Sequence, residues 1–130
     1  MKEPQPTFLE LDEVLALHAS RIERYGGEFG VRDAALLESA LAMPRATFDG
    51  ELLHPTFFEM AAAYLYHLVK NHPFLDGNKR AGLIAALVFL ELNGVTIDAS
   101  EDALVDLVMG VATGATSKAE VAETLRRSAR

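Results

Sequence analysis

Apolar residues recur along this chain at helical spacing, and glycines, prolines and small polar residues divide them into segments. From Leu11, apolar side chains fall at Val14, Leu15, Ile22 and Tyr25, one stripe of a helix. Gly26-Gly27 predicts its end, because glycine takes the left-handed geometry of a C-terminal cap without steric cost. A shorter helix is predicted from Arg32 to Ala42, with Leu36, Leu37 and Leu41 inward and Pro44 closing it. Between Arg45 and His54, the dipeptide Asp49-Gly50 flanked by Phe48 and Leu52 marks a candidate hairpin.

Pro55 suits the first turn of the next helix, where its missing N–H costs nothing. That helix runs to about Asn71, and its alanines, leucines and tyrosines predict a central place. His72-Pro73 breaks it, since proline disfavours helical geometry in the residue before it. Another helix is predicted from Gly77 or Asn78 to Asn93. Its segment Ala81 to Leu90 is apolar nearly all round, which predicts the buried central helix. Val95-Thr96-Ile97 reads as a short extended piece. Asp98-x-x-Glu101 and Ser117-x-x-Glu120 read as capping boxes opening two final helices. The expected fold is all-α, a bundle of about six helices around a buried central helix, with a short hairpin as its one candidate sheet. No repeat, low-complexity tract or linker interrupts it, so residues 1–130 read as one domain.

Composition narrows the class. Half of the residues are hydrophobic and 24% are charged, which excludes a disordered chain. The absence of cysteine removes disulfides, thiolate metal sites and a cysteine nucleophile. Twelve basic against 19 acidic residues leave a net charge of −7, a poor basis for binding nucleic acid. The longest uncharged apolar run, Ala81 to Leu90, falls well short of the roughly 20 residues of a membrane span. The opening residues, Met1 to Pro6, lack the apolar stretch of a signal peptide. A cytoplasmic protein is the expectation.

Chemistry concentrates in His72-Pro73-Phe74-Leu75-Asp76-Gly77-Asn78-Lys79-Arg80. A helix starting near Asn78 leaves its first N–H groups without internal partners, and its dipole adds partial positive charge there. Gly77 lets a ligand come close to the backbone. Lys79 and Arg80 add two cations at a helix start, where cations are disfavoured unless an anion binds; phosphate is the expected anion. Asp76 offers one carboxylate, which with phosphate oxygens and water is how Mg²⁺ is usually held. His72 is a base with an ordinary pKa near neutrality. Together these residues point to transfer of a phosphate-containing group to a hydroxyl. Other candidates read as structure. His18 lies on the first helix's apolar stripe as a core histidine. His67 lies roughly 140° from His72 on an ideal helix and reads as packing. His54 reads as a loop residue, Tyr64 and Tyr66 as core, and Arg32-Asp33 as a helix-start pair.

The segment resembles the motif of the Fic/Doc superfamily, His-x-Phe-x-Asp/Glu-Gly/Ala-Asn-Gly/Lys-Arg, at His72, Phe74, Asp76, Gly77, Asn78, Lys79 and Arg80. Seven specified positions at roughly 5% usage each match by chance about once in 10⁹ placements. Gly26-Gly27, Gly30 to Asp33, Leu36 to Leu41 and Pro44 extend the likeness, which covers residues 8 to 125 and is strongest for the death-on-curing (Doc) toxins. The resemblance implies His72 as the base that deprotonates the target hydroxyl, Phe74 as loop anchor and Asp76 as Mg²⁺ ligand. It implies Gly77, Asn78 and Lys79 as a phosphate hole, Asn78 adding its side-chain amide, and Arg80 on phosphate or bracing the loop. AMP-transferring members usually carry glycine where Lys79 stands and a second arginine where Leu83 stands. The resemblance therefore implies a toxin kinase that moves a phosphoryl group from ATP to elongation factor Tu. It also implies a Phd-like antitoxin as partner and the Asp49-Gly50 segment as a flap that docks the target. Adenylyl transfer and a catalytically silent binding module are the competing expectations.

Overall fold

Six helices and a two-stranded ribbon make up the described chain, residues 5–130 of a computed structural model. Met1 to Pro4, most of the stretch read as lacking a leader, lie outside the described residues. The first helix, α1 (Leu11–Tyr25), buries Val14, His18 and Ile22 and stops at Gly26, whose φ is 85°. The second, α2 (Ala34–Ala42), starts later than expected. Asp33 caps it, accepting from the Leu36 N–H at 3.0 Å, and this leaves Arg32 outside the helix. A 3₁₀ turn over Met43–Arg45 contains Pro44. The hairpin forms as strands β1 (Thr47–Phe48) and β2 (Glu51–Leu52), with Thr47 opposite Leu52 and Phe48 opposite Glu51. Asp49 and Gly50 both have positive φ, 55° and 81°, as a two-residue turn matched to strand twist requires.

Helix α3 (Phe57–Asn71) is the hub. Pro55 is not in its first turn as expected: Thr56 is the cap, its hydroxyl accepting from the Glu59 N–H at 3.2 Å, and Pro55 precedes it. The run Met60 to Leu65 is buried throughout, and α2, α4, α5 and α6 all pack on this helix. The central place expected of the Ala81 to Leu90 segment thus belongs to α3. Helix α4 (Asn78–Leu92) buries Ala81, Ala85, Ala86, Phe89 and Leu90, but Leu83, Ile84, Leu87 and Val88 are only half-covered. Ala61, Ala62 and Ala63 explain the exchange, since small side chains let neighbours close on several sides of α3. Where α3 and α4 cross, a Cβ on Gly82 would sit 3.0 Å from the Leu65 carbonyl oxygen.

Helices α5 (Glu101–Thr113) and α6 (Lys118–Ser128) complete the bundle. The expected capping box of α6 is present: Ser117 Oγ accepts from the Glu120 N–H at 3.1 Å, and Glu120 accepts from the Ser117 N–H at 3.0 Å. The one expected at Asp98 is not. Ser100 caps α5 instead, accepting from the Ala103 N–H at 3.1 Å. Asp98 is drawn off by the C-terminus: its N–H donates to the Ser128 carbonyl at 2.7 Å, and Ile97 bridges Ala129. No helix among the described residues is long and apolar enough to cross a membrane.

Candidate active site

The loop between α3 and α4 is tied from three directions. At its start, His72 takes a left-handed conformation, φ 51° and ψ 53°, uncommon for a residue with a Cβ. Arg32 holds it there: Nε donates to the His72 carbonyl at 2.7 Å and Nη2 to the Asn71 carbonyl at 3.1 Å. The Arg32 and Asp33 N–H groups both donate to the Pro73 carbonyl, at 2.7 and 3.0 Å. Further along, Leu75 donates to the Gly30 carbonyl at 3.1 Å, and the Glu28 N–H donates to Asp76 Oδ2 at 2.9 Å. The stretch from Glu28 to Asp33 is therefore a rail on which the loop is laid.

From the second direction comes α1. Its His18 is 3% exposed and stacks on Phe74 with ring centroids 3.7 Å apart and planes 5° from parallel. His18 Nε2 lies 2.7 Å from the Asp76 carbonyl. The third tie is internal. Phe74 is fully buried, and Asn78 meets both of its backbone groups: Oδ1 accepts from the Phe74 N–H at 2.9 Å and Nδ2 donates to its carbonyl at 3.0 Å. This corrects the expected part of the Asn78 amide in the phosphate hole. The amide is buried and turned back into the loop, where it satisfies two main-chain groups that neither helix can reach.

His72, Asp76, Gly77, Asn78, Lys79 and Arg80 all line one cavity of about 680 Å³. Phe74 does not; it lies behind the loop. Helix α4 opens at Gly77, φ 75°, without a side-chain cap, so its first N–H groups are left for another acceptor. Lys79 and Arg80 make no ion pair among the described residues, and the Arg80 guanidinium lies over the Tyr25 ring at 4.7 Å. Asp76 commits one carboxylate oxygen to the Glu28 N–H and leaves the other without a protein donor among the described residues. No cluster of three or more imidazole and carboxylate groups among the described residues could hold a metal alone. A single free carboxylate oxygen beside a cationic cavity suits Mg²⁺ that arrives with phosphate oxygens.

The far wall of the cavity is apolar: Val69, Leu83, Val105, Val108, Met109 and Ala112. Sequence reasoning missed the part from α5. The signal was a second stripe, Val105, Met109 and Ala112, spaced i, i+4, i+7 and beside the buried face of Leu107, Val108 and Val111. Val105 and Met109 stay 49% and 44% exposed, which the core alone does not account for. Arg32 and His18 were read as structure, and nothing in their spacing pointed to the loop. Tyr64 is in the core, its hydroxyl accepting from the Leu9 N–H, and Tyr66 packs edge-on against His67.

A second cleft, about 620 Å³, lies between the start of α3 and α6. His54 lines it; it lies in the loop before α3, as expected, and is buried there. Burial, and then the charge of Lys118, lower its pKa. His67 accepts from Lys118 Nζ at 3.0 Å, and burial, then Lys118 and His54, bring its pKa down to about 4.

Comparison with known proteins gives the family. The family model described as Fic/DOC family matches residues 8–90. The chain belongs to the Fic/DOC family. It is 41% identical over 116 residues to the "Protein kinase doc" of Escherichia phage P1, covering 89% of this chain and 90% of that one. It is 45% identical over 108 residues to the "Toxin Doc" of Mycolicibacterium smegmatis, covering 82% and 81%. The Fic/DOC match takes in α1, the rail and the whole loop, and it ends within α4, short of the α5 wall.

Proposed function

We propose that this chain is a Doc-type toxin that transfers the γ-phosphoryl group of ATP to a hydroxyl of a translation elongation factor, elongation factor Tu by resemblance, in the bacterial cytoplasm. One observation carries the phosphate chemistry: two cations without an ion pair among the described residues, beside the uncapped start of α4, in a cavity that also receives His72. Lys79, Arg80 and the first N–H groups of α4 hold the phosphates. Asp76 would hold Mg²⁺ through its free oxygen, where the bound cation would neutralise phosphate charge. His72 takes the proton of the target hydroxyl as its oxygen bonds to the γ-phosphorus and the bond to the ADP oxygen breaks. The products are a phosphoester and ADP. Phosphoryl rather than adenylyl transfer is supported by Lys79 in the cradle and by Leu83 on the apolar wall, which leaves no cation three residues after Arg80 to grip the outer phosphates. The printed names of both relatives support a toxin, and one supports a kinase.

The test incubates the protein with elongation factor Tu, Mg²⁺ and ATP labelled at either the α or the γ position. Label arriving from γ supports the proposal; label from α makes the chain an adenylyltransferase, and neither leaves a binding module. A neutralising, Phd-like antitoxin encoded nearby belongs to the same proposal. Expression of the chain alone should arrest bacterial growth, and the adjacent small reading frame should restore it and co-purify.

A further inference from the structure

Glu28 to Asp33 and Asn78 fix most of the loop's backbone, but none of them touches the peptide that joins Asp76 to Gly77. His18 does, from α1. We propose that His18 is a positioning residue of the transfer site: by holding the Asp76 carbonyl it aims the Gly77 N–H at the bound phosphate. The inference rests on the phosphate-transfer function proposed above.

A carbonyl oxygen only accepts, so the 2.7 Å contact requires the proton of His18 to be on Nε2. The ring cannot turn away, being buried and stacked on Phe74. The Asp76 C=O and the Gly77 N–H belong to one planar trans unit and point in opposite directions. Pinning the oxygen toward α1 therefore turns the N–H away from α1. On the α1 side Gly77 is already covered, since a Cβ there would meet Ile22 Cδ1 at 2.9 Å and His18 Nε2 at 3.6 Å. Gly77 also lines the cavity, so the N–H adds to the donors at the start of α4.

Without His18 little else opposes rotation of this peptide. Glycine accepts either orientation of the unit before it, and the Glu28 bond holds the Asp76 carboxylate, not its carbonyl. Rotated, the unit would present an oxygen where the phosphate needs a donor. His18 thus decides the sign of the local dipole at the phosphate without touching the substrate.

Two substitutions separate this role from packing. His18→Phe keeps the aromatic stack on Phe74 and lacks the donor; His18→Gln loses the ring but places an N–H where Nε2 stood. Inorganic phosphate is titrated into labelled protein and the Gly77 amide followed by NMR, with turnover on Mg²⁺ and ATP and thermal melts measured alongside. His18→Phe should lower turnover and phosphate affinity by about tenfold or more, and His18→Gln should stay within about threefold of the parent. His18→Met repeats the donor-free test if the Phe variant melts early. Normal function in His18→Phe, or equal loss in both variants at unchanged melts, would overturn the proposal. A parent protein that binds phosphate at Gly77 but transfers nothing would sink the transfer function alone, and the phosphate titration would still judge His18.

Discussion

His72 is exposed at the mouth of the cavity, and its backbone, not its side chain, carries the loop's structural bonds. Substituting alanine should therefore leave the fold and nucleotide binding largely intact. As the proposed base, its loss should lower turnover by about 10²–10⁴-fold. Steady-state transfer beside nucleotide titration checks this, and retention of more than about a tenth of the rate contradicts a general base. Asp76 needs a subtler change, because its carboxylate ties the loop to Glu28 and is also the proposed Mg²⁺ ligand. Asp76→Asn keeps an oxygen for the Glu28 N–H and removes the charge. Mg²⁺-dependent activity should be lost while the melt moves by no more than about 1 kcal/mol. A large fall in stability with activity retained would make Asp76 a tie for the loop and nothing more. That these residues would share one cavity was legible because they are neighbours around a helix start: two cations, a lone carboxylate, an imidazole. Asn78 was not. An amide can serve a ligand or its own backbone, and only the loop's three-dimensional path decides which.

Among the elements, the helices were legible from periodicity and their ends from glycine and proline. The ranking of α3 and α4 was not. Apolar composition all round a helix suggests burial, yet three consecutive alanines on α3 gave its neighbours closer approach than the bulkier face of α4 allowed. The contact at Gly82 makes this testable. A side chain there must push into the Leu65 carbonyl or Val69, both 3.0 Å from the missing Cβ. Gly82→Val should destabilise the protein by about 1–3 kcal/mol through overpacking, read from urea unfolding. An unchanged midpoint would mean that α3 and α4 are free to part. Caps follow the same logic: Asp98 and Ser100 are both competent, and the choice fell to Ser100 because the C-terminus claimed the backbone of Asp98.

Across the whole molecule, the second cleft is lined by His54, Lys118 and Glu59 and by the ion-paired Glu123 and Arg126, and Lys118 reaches past it to His67. Folding lowers the pKa of His67 to about 4, so between that value and 6.5 the unfolded chain binds the extra proton. Stability from this group is therefore complete above pH 6.5 and declines as pH falls toward 4. The shift would be worth about 3 kcal/mol if unscreened. Partial solvent access to His67 reduces that to about 1 kcal/mol. Urea melts at pH 7.5 and 5 should differ by about half that amount from His67, and His67→Gln should shrink the difference to what His54, lowered in the same direction, contributes. Glu120 and Glu123 enter only at the acid end of the window, since hydrogen bonds from Ser117 and Arg126 hold both below the ordinary glutamate value. An equal pH response in the variant would place the cause elsewhere.

The ties that build the active loop join residues far apart in the chain: 40 positions for Arg32 and His72, 48 for Glu28 and Asp76, 58 for His18 and Asp76. Helices close locally and fast, whereas contacts of such separation wait on the slower search that brings distant segments together. Refolding should therefore run in two stages visible to different instruments. Circular dichroism at helical wavelengths should recover first, and the ability to hold phosphate should follow. A chain caught between the two would be fully helical and chemically silent, the residues of its proposed site all present but not yet gathered.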